Sequence, residues 1–200
     1  KMYEVPKLMN WGNFAPIREF DMSLDKKLFK TTKTGPPLYE GKMIHMFTHT
    51  FASPIQWLVS TDAETREMAK EKERIPKKIK DKNPKMIFRI GANEYKLVWR
   101  SITNATDQRT FISTVLPPNF TGNSLNCLIS ITFDENAEAY VKPVANDETI
   151  FLCGMFNSFV VDYVMRHKLG GSNVNYFHMN ELPIPRYDQN NSLHKMVFRN

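Results

Sequence analysis

Acidic residues and lysines occur twice in this chain at the acid-x-lysine spacing of metal-dependent nucleases. The two triplets are Glu40-Gly41-Lys42 and Glu94-Tyr95-Lys96. In such enzymes the carboxylates hold a divalent metal ion that activates a water molecule. Triplets of this kind arise by chance in most chains, so a nuclease built on Glu94 and Lys96 is an alternative hypothesis only.

Two further patterns do not complete a catalytic site. His45 and His49 have the i, i+4 spacing of a zinc pair, but the glutamate of the HExxH motif is missing. Residues 116–120 contain the Pro117-Pro118 pair found in amino-methyltransferases, yet Leu116 occupies the position of the Asn or Asp that accepts the amine hydrogens. No GxGxxG loop is present either. The residues therefore predict no methyl transfer, no metal site and no cofactor in this chain.

A turn near the C-terminal end combines a positive charge, bare backbone amides and carboxamides. Its members are Lys168, Gly170, Gly171, Ser172, Asn173 and Asn175. Such groups suit a phosphate backbone and the edges of bases. On this hypothesis the phosphate contacts are Lys168, Gly170 and Gly171. The base contacts are Asn173 and Asn175. The alternative is a capped helix with asparagines in an ordinary turn.

Two arginines bracket another turn, at residues 103–107. Arg100 and Arg109 lie on or beside the ends of predicted strands on either side of it. Arginine donates two hydrogen bonds to O6 and N7 of guanine, so both are candidate base contacts. The alternative is a salt bridge with Asp107 at the edge of the sheet.

Lysines supply the remaining candidate phosphate contacts. Lys42 follows Gly41 and can reach a phosphate from that turn, or can form a solvated ion pair with Glu40. After Pro76 the chain carries a run of lysines, namely Lys77, Lys78, Lys80, Lys82 and Lys85. The run is either a solvated face or an electrostatic arm along a polyanion. On the second hypothesis the contacts are Lys77, Lys78 and Lys80.

The apolar pattern indicates the scaffold that positions these residues. Segments rich in β-branched and aromatic residues predict strands at 86–90, 95–102, 109–116 and 127–133. One apolar stripe at helical spacing predicts a long helix at about 148–169; it comprises Phe156, Phe159, Val160, Tyr163 and Val164. The predicted fold class is α+β, a mainly antiparallel sheet packed by a long C-terminal helix.

Shorter elements complete the prediction. Gly170 is predicted to supply a left-handed cap for the long helix, and residues 174–179 a short strand. Residues 43–47 are also predicted to form a strand, and a short helix is expected at about 23–29. Thr61 and the glutamate three residues later predict a capping box for a charged helix that ends before Pro76.

Composition sets the broad class. The chain has 200 residues, 42% of them hydrophobic, and a net charge of +6, which fits one packed domain with an anionic partner. Cys127 and Cys153 form no CxxC pair, which indicates buried thiols in a reducing compartment. Neither a membrane-length apolar run nor a signal peptide is present. We therefore expect a cytoplasmic location and no membrane partner. Lys1 in place of Met predicts a piece of a longer protein.

Motifs distributed along the chain, taken in order, resemble one family. They are Trp11-Gly12, residues 20–29, residues 37–44, residues 99–110, Leu116-Pro117, Asn157-Ser158, Asp162-Tyr163, Arg166, Lys168, Gly170-Gly171, Asn173, Asn175, Phe177 and residues 182–185. In this order they resemble the C-terminal specificity region of large DNA adenine methyltransferases. Those enzymes belong to type IIG and type ISP restriction-modification and related phage-defence systems, with a TaqI-like specificity domain. The resemblance covers nearly the whole chain apart from about 61–85.

The resemblance implies a bacterial target-recognition domain with a curved sheet, which binds a short sequence of double-stranded DNA. That domain spans 38–187 with a charged insert at 61–85, after an N-terminal segment at 1–37 and before a tail at 188–200. Catalysis and S-adenosylmethionine then belong to an upstream methyltransferase domain of the same chain, in some relatives beside a nuclease or helicase. The chain itself is then not an enzyme and holds no cofactor. A module that docks to the upstream domain or to a partner subunit remains an alternative, as does the nuclease.

Overall fold

The structure is a computed structural model, and it describes residue 7 and residues 16–196. The Trp11-Gly12 motif lies outside the described residues, as does most of the segment before residue 16. Lys7 forms an isolated antiparallel bridge with Pro183. Strands and helices are mixed along the described chain, so the predicted α+β class is confirmed.

The strands are short, and most pair with an antiparallel neighbour. They are β1 (Pro16–Ile17), β2 (Phe29–Lys30), β3 (Leu38–Tyr39), β4 (Trp57–Leu58), β5 (Lys96–Arg100), β6 (Ser113–Leu116), β7 (Phe120–Thr121), β8 (Leu125–Leu128), β9 (Thr132–Asp134) and β10 (Ala139–Val141). The central sheet has the order β1-β8-β5-β6 and is antiparallel throughout. Two more antiparallel pairs are β2 with β4 and β9 with β10, while β3 and β7 are parallel.

The helices are concentrated after the sheet, apart from the charged insert. They are α1 (Ser60–Arg74), α2 (Lys77–Lys82), α3 (Asn146–Phe156), α4 (Phe159–Lys168), α5 (Tyr176–Asn180) and α6 (Ser192–Met196). The end of α1 before Pro76 is confirmed, but the predicted capping box is wrong because Val59 is the N-cap residue and has no side-chain acceptor. The lysine run largely forms α2. The short helix expected near residue 23 is a single 3-10 turn at Lys26–Leu28.

Strand β5 is the centre of the fold because both of its faces are covered. Successive side chains of a strand point to opposite faces. Leu97 and Trp99 pack in one core with α3, α4 and the chain that follows them, whereas Val98 packs in a second core with Ile44 and Leu125. A third core lies under α1. The loop that leaves β5 is therefore held on a fully packed strand.

The predicted long helix is wrong, because the structure has two helices that meet at 68°. The side chain of Asn157 ends α3 by pairing with β6: Nδ2 donates to the Ser113 carbonyl at 2.9 Å, and Oδ1 accepts from the Ser113 N–H at 3.1 Å. Ser158 then caps α4 by accepting from the N–H of Val161 at 3.2 Å. Both residues are strong turn and N-cap formers, which explains the break.

The break also changes which residues of α4 face the core. The apolar stripe predicted from the sequence assumed one continuous helix. In the structure Val161 and Met165 are buried, while Phe159, Val160 and Tyr163 are exposed. The prediction that all of the stripe packs on the sheet is therefore wrong for the latter three residues.

Four other local predictions are wrong. Residues 86–90 do not form a strand, since the first strand after α2 is β5. Gly170 has no left-handed φ, because α4 ends with Leu169 in an extended conformation. Residues 174–179 do not form a strand, since the N–H of Asn175 bonds to His178 Nδ1 at 3.0 Å and the chain enters α5. Residues 43–47 do not form a strand either: a 3-10 turn at Gly41–Met43 precedes a tight turn there. At residues 43–47 and 174–179, local hydrogen bonds of a turn and of a helix start replace the predicted strand pairing.

In the part of the chain that the structure describes, no single helix is long and apolar enough to cross a membrane. Helices α3 and α4 reach that length and composition only when taken together across their 68° bend.

Candidate nucleic-acid interface

The chain that leaves β5 pairs with the turn that follows α4. The N–H of Thr103 donates to the Ser172 carbonyl at 3.0 Å, and the N–H of Val174 donates to the Ser101 carbonyl at 2.8 Å. Between these bonds Ile102 faces Asn173 in an antiparallel bridge. Residues 103–108 and residues 170–173 therefore lie side by side, and we call them together the two-loop surface.

Residues 103–108 form a self-braced turn. The carboxylate of Asp107 accepts from the N–H of Asn104 at 2.9 Å and from the hydroxyl of Thr103 at 3.3 Å. The carbonyl of Asn104 accepts in return from the N–H of Asp107 at 3.2 Å and from the hydroxyl of Thr110 at 3.1 Å. Side chains on this turn are consequently presented on a fixed backbone.

Side chains of helix α4 hold the same turn through hydrogen bonds to its backbone carbonyls. Arg166 donates from its guanidinium to the carbonyls of Ala105 and Gln108. Buried Asp162 pairs with Arg166 at 3.2 Å, and its other oxygen accepts from the N–H groups of Thr110 at 2.9 Å and Phe111 at 2.8 Å. The position of the turn thus depends on two side chains of α4.

Arg109, a predicted base contact, is buried at the junction of α3 and α4. Its Nη2 donates to the carbonyls of Asn157 at 2.6 Å and Ser158 at 3.3 Å, and its Nε lies 3.5 Å from Asp162. The ring of Phe159 covers the guanidinium at 4.8 Å. With 9% of the residue exposed, Arg109 acts here as a structural brace, and its partner is Asp162 instead of Asp107.

Arg100, the second arginine, is partly exposed. Its Nε and Nη2 donate to the Ile44 carbonyl at 3.2 and 2.5 Å. Desolvation by burial lowers the pKa of Arg100, and the charge of Asp107 opposes that shift. The guanidinium lies 5.9 Å from the ring of Phe51. Arg100 therefore joins the end of β5 to the chain around residue 44, and among the described residues its Nη1 has no hydrogen bond.

The predicted phosphate contacts at the second turn are accessible. Gly170 and Gly171 are exposed, and a Cβ at either position meets nothing within 4 Å. Lys168 is exposed beside them and pairs with Glu181 at 2.8 Å. Of the two asparagines, Asn173 is exposed on the turn. Asn175 is partly buried at the start of α5, away from the 170–173 turn.

The other predicted phosphate contacts lie elsewhere. Lys42 is exposed and pairs with Glu40 at 3.3 Å, the solvated pair that was the alternative. On α2, Lys77 and Lys78 are exposed, whereas the Nζ of Lys80 donates to the carbonyl of Lys72 at 2.5 Å. The described contacts do not bring α2 against the two-loop surface.

The sequence analysis missed the polar side chains of the first turn. Asn104, Thr106 and Gln108 are exposed there, next to exposed Asn173. The available signal was a cluster of hydrogen-bonding side chains inside a single turn bracketed by two arginines. It was interpreted as turn chemistry alone, because nothing in the sequence shows that α4 holds this turn rigidly.

The residues of the nuclease alternative are separated. Lys96 is buried and pairs with buried Glu19. Glu94 pairs instead with Arg89 and, at 3.2 Å, with Lys142. Within residue 7 and residues 16–196, no three His, Cys, Asp or Glu side chains group in a way that could hold a metal ion. The described contacts therefore do not assemble the carboxylate and lysine set that this alternative requires.

The two-loop surface combines three exposed carboxamides with open backbone amides and one nearby lysine. Carboxamides make paired hydrogen bonds with adenine, and backbone amides and lysine suit phosphate oxygens. A scan against protein-family models and a search of curated proteins find no match to this chain. The surface thus presents hydrogen-bond donors and acceptors with a positive charge beside them.

Proposed function

We propose that this chain is the target-recognition domain of a bacterial DNA methyltransferase from a restriction-modification or phage-defence system. It binds a short sequence in double-stranded DNA and performs no chemistry itself. An upstream domain of the same protein carries the S-adenosylmethionine and the N6-adenine methyl transfer. The ordered motifs described above support the family, and the mixed α+β fold, with α3 and α4 packed on one face of the antiparallel central sheet, agrees with it.

One observation carries the proposal: the backbone pairing of residues 101–103 with residues 172–174. It brings the turn that exposes Asn104 and Gln108 beside the turn that exposes Asn173, although the two turns are far apart in the sequence. Asn and Gln are the side chains that bond in pairs to N6 and N7 of adenine in the major groove. In the complex these three contact base edges, and Arg100 supplies a contact through its Nη1.

Phosphate contacts surround this surface in the proposed complex. The N–H groups of Gly170 and Gly171 and the ammonium of Lys168 approach the backbone of the duplex, because nothing obstructs the turn. Lys168 leaves Glu181 for a phosphate, an exchange that costs little for a solvated pair. A net charge of +6 favours encounter with a polyanion.

Selection from a library of random duplexes tests the proposal. The purified chain is expected to enrich one short motif. It should then bind that motif roughly a thousandfold or more tightly than a scrambled duplex in fluorescence anisotropy. Enrichment of no motif, with equal affinity for every duplex, would overturn the proposal.

A protein-docking module is the second candidate, because α4 exposes apolar side chains. Phe159, Val160 and Tyr163 lie on its outer face, which suits a partner protein better than a duplex. If docking is the main role, Val160→Ser with Tyr163→Ser abolishes capture of the upstream domain and leaves duplex selection unchanged. Pull-down of the separately purified upstream domain measures this, with Leu24→Ser as an exposed apolar control.

A further inference from the structure

A loop beside Arg100 presents two phenyl rings to solvent. Residues 45–48 form a tight turn in which the N–H of His45 donates to the Thr48 carbonyl at 2.9 Å and the reverse bond measures 3.1 Å. The turn is fastened to β6, since the N–H of Phe47 donates to the Ser113 carbonyl at 3.2 Å. Phe47 and Phe51 are nevertheless 65% and 59% exposed. We call residues 45–51 the aromatic tip.

Phe47 is held in a strained backbone conformation. Its φ is 62°, in the left-handed region that bulky residues rarely occupy. Glycine adopts this region without strain, so the turn by itself favours glycine at this position. The strain does not serve packing, because the ring is largely in solvent. Strained residues of this kind concentrate where a protein meets a ligand.

Arg100 lies beside the aromatic tip and also interacts electrostatically with Asp107 of the two-loop surface. Its guanidinium bonds to the Ile44 carbonyl and lies 5.9 Å from the ring of Phe51, which in turn lies 4.7 Å from the ring of His45. Burial lowers the pKa of His45, and the charges of Arg100 and Arg109 lower it further. A neutral imidazole therefore backs the exposed phenyl ring at neutral pH.

The charges around the aromatic tip suit a polyanion more than an apolar protein groove. On this side Arg100 lies 5.9 Å from the ring of Phe51, and exposed Lys42 precedes the tip in the sequence. The nearby acids are Glu40, which is paired with Lys42, and Asp107, which is bonded to its own turn. A DNA duplex provides a partner for each of these groups. Its phosphates can pair with the cations, and its stacked bases can pack against the exposed phenyl ring.

We propose that Phe47 inserts between two neighbouring base pairs of the bound duplex and unstacks that step. Apolar wedges flanked by basic residues act in this way in proteins that kink DNA. This inference rests on the proposed function. Besides the hydrogen bonds made by the two-loop surface, the chain would then also recognise how easily a base step unstacks.

The test uses the selected duplex with 2-aminopurine placed at successive positions, because the fluorescence of this base rises when it unstacks. With the wild-type chain, one step is expected to brighten on binding. Phe47→Gly removes the ring and relieves the positive φ, so this variant folds at least as well as the wild type. We expect this variant to bind the same sequence about tenfold more weakly, since a stacked phenyl ring contributes at that level. The fluorescence of 2-aminopurine should not rise when this variant binds.

Tyr95→Ala is the matched control, because Tyr95 is exposed and precedes the opposite end of β5 from Arg100. It should behave as the wild type does. Brightening that survives in Phe47→Gly, or an unchanged affinity, overturns the wedge and leaves the proposed function intact. A wild-type chain that binds the duplex without brightening any step also overturns the wedge alone. A chain that binds no duplex overturns both proposals.

Discussion

At the scale of single residues, Asp162 determines more of the site's geometry than either arginine that the sequence singled out. Its carboxylate accepts two backbone N–H bonds from the chain after the first turn, and it faces Arg109 and Arg166. The sequence shows a charged residue on a helix, and that position is usually solvated. Only the 68° break before α4 turns this carboxylate inward, so its role could not be predicted locally.

We expect Asp162→Ala to lower the free energy of unfolding by about 3 kcal/mol or more, because it leaves a buried guanidinium unpaired and two N–H groups without an acceptor. Urea denaturation followed by circular dichroism measures the change. Asp81→Ala, on the exposed face of α2, is the control and should be neutral. Equal stability of both variants would show that Asp162 does not brace the turn.

The two cysteines give a second prediction at this scale. Burial raises the pKa of Cys127 to about 12 and that of Cys153 to about 11. Both thiols therefore stay protonated at pH 8 in the folded chain. When the chain unfolds, the pKa of each thiol returns to about 8.5. The pKa values of both thiols are higher in the folded chain than in the unfolded chain. Their contribution to the free energy of unfolding is therefore expected to be present in full below about pH 8.5 and to be lost as the pH rises towards 12.

Labelling with a chromogenic disulfide at pH 8 checks this prediction. The native chain should react slowly, and the same chain in denaturant should react at once with both thiols. A thiol in the native chain that reacts as fast as free cysteine would contradict it. The inference of buried thiols from the sequence is confirmed, since both residues are buried and unpaired.

At the scale of elements, the sequence predicted cores better than connections. The strands at 96–100 and 113–116 lie inside the predicted segments, because both segments are rich in β-branched and aromatic residues. The long helix was wrong because the side chain of Asn157 pairs with a strand that is remote in the sequence. The tip at residues 45–51 was missed for a similar reason: its anchor is the Ser113 carbonyl.

Helix α2 provides the prediction at this scale. If Lys77 and Lys78 contact phosphates, replacing both with alanine should weaken binding to all duplexes alike. The salt slope should also fall by about 0.9 for each lost contact. Anisotropy at several salt concentrations measures the slope. Lys26→Ala with Lys27→Ala removes the same charge from another exposed pair and serves as the control. Equal slopes in the two double variants would mean that α2 is a solvated face.

At the scale of the whole molecule, the fold brings together two turns that the sequence could not show to be neighbours. A packed strand, β5, and a braced helix, α4, converge to hold two polar turns side by side. The sequence predicted each turn, and Asn173, Lys168, Gly170 and Gly171, its predicted contacts at the second turn, are exposed in the structure. It could not show that the turns meet, because their pairing consists of backbone hydrogen bonds between residues about 70 positions apart, which leave no side-chain pattern.

Sequencing of duplexes selected by variants tests most directly whether this surface contacts bases. A lost paired contact is worth roughly 1–3 kcal/mol of base discrimination. Gln108→Ala should therefore select the wild-type motif with one position relaxed and the others unchanged. Gln189→Ala, an exposed glutamine on the C-terminal segment, should select the wild-type motif in full. If Gln108→Ala, Asn104→Ala and Asn173→Ala all select the wild-type motif without change, the two-loop surface does not contact bases.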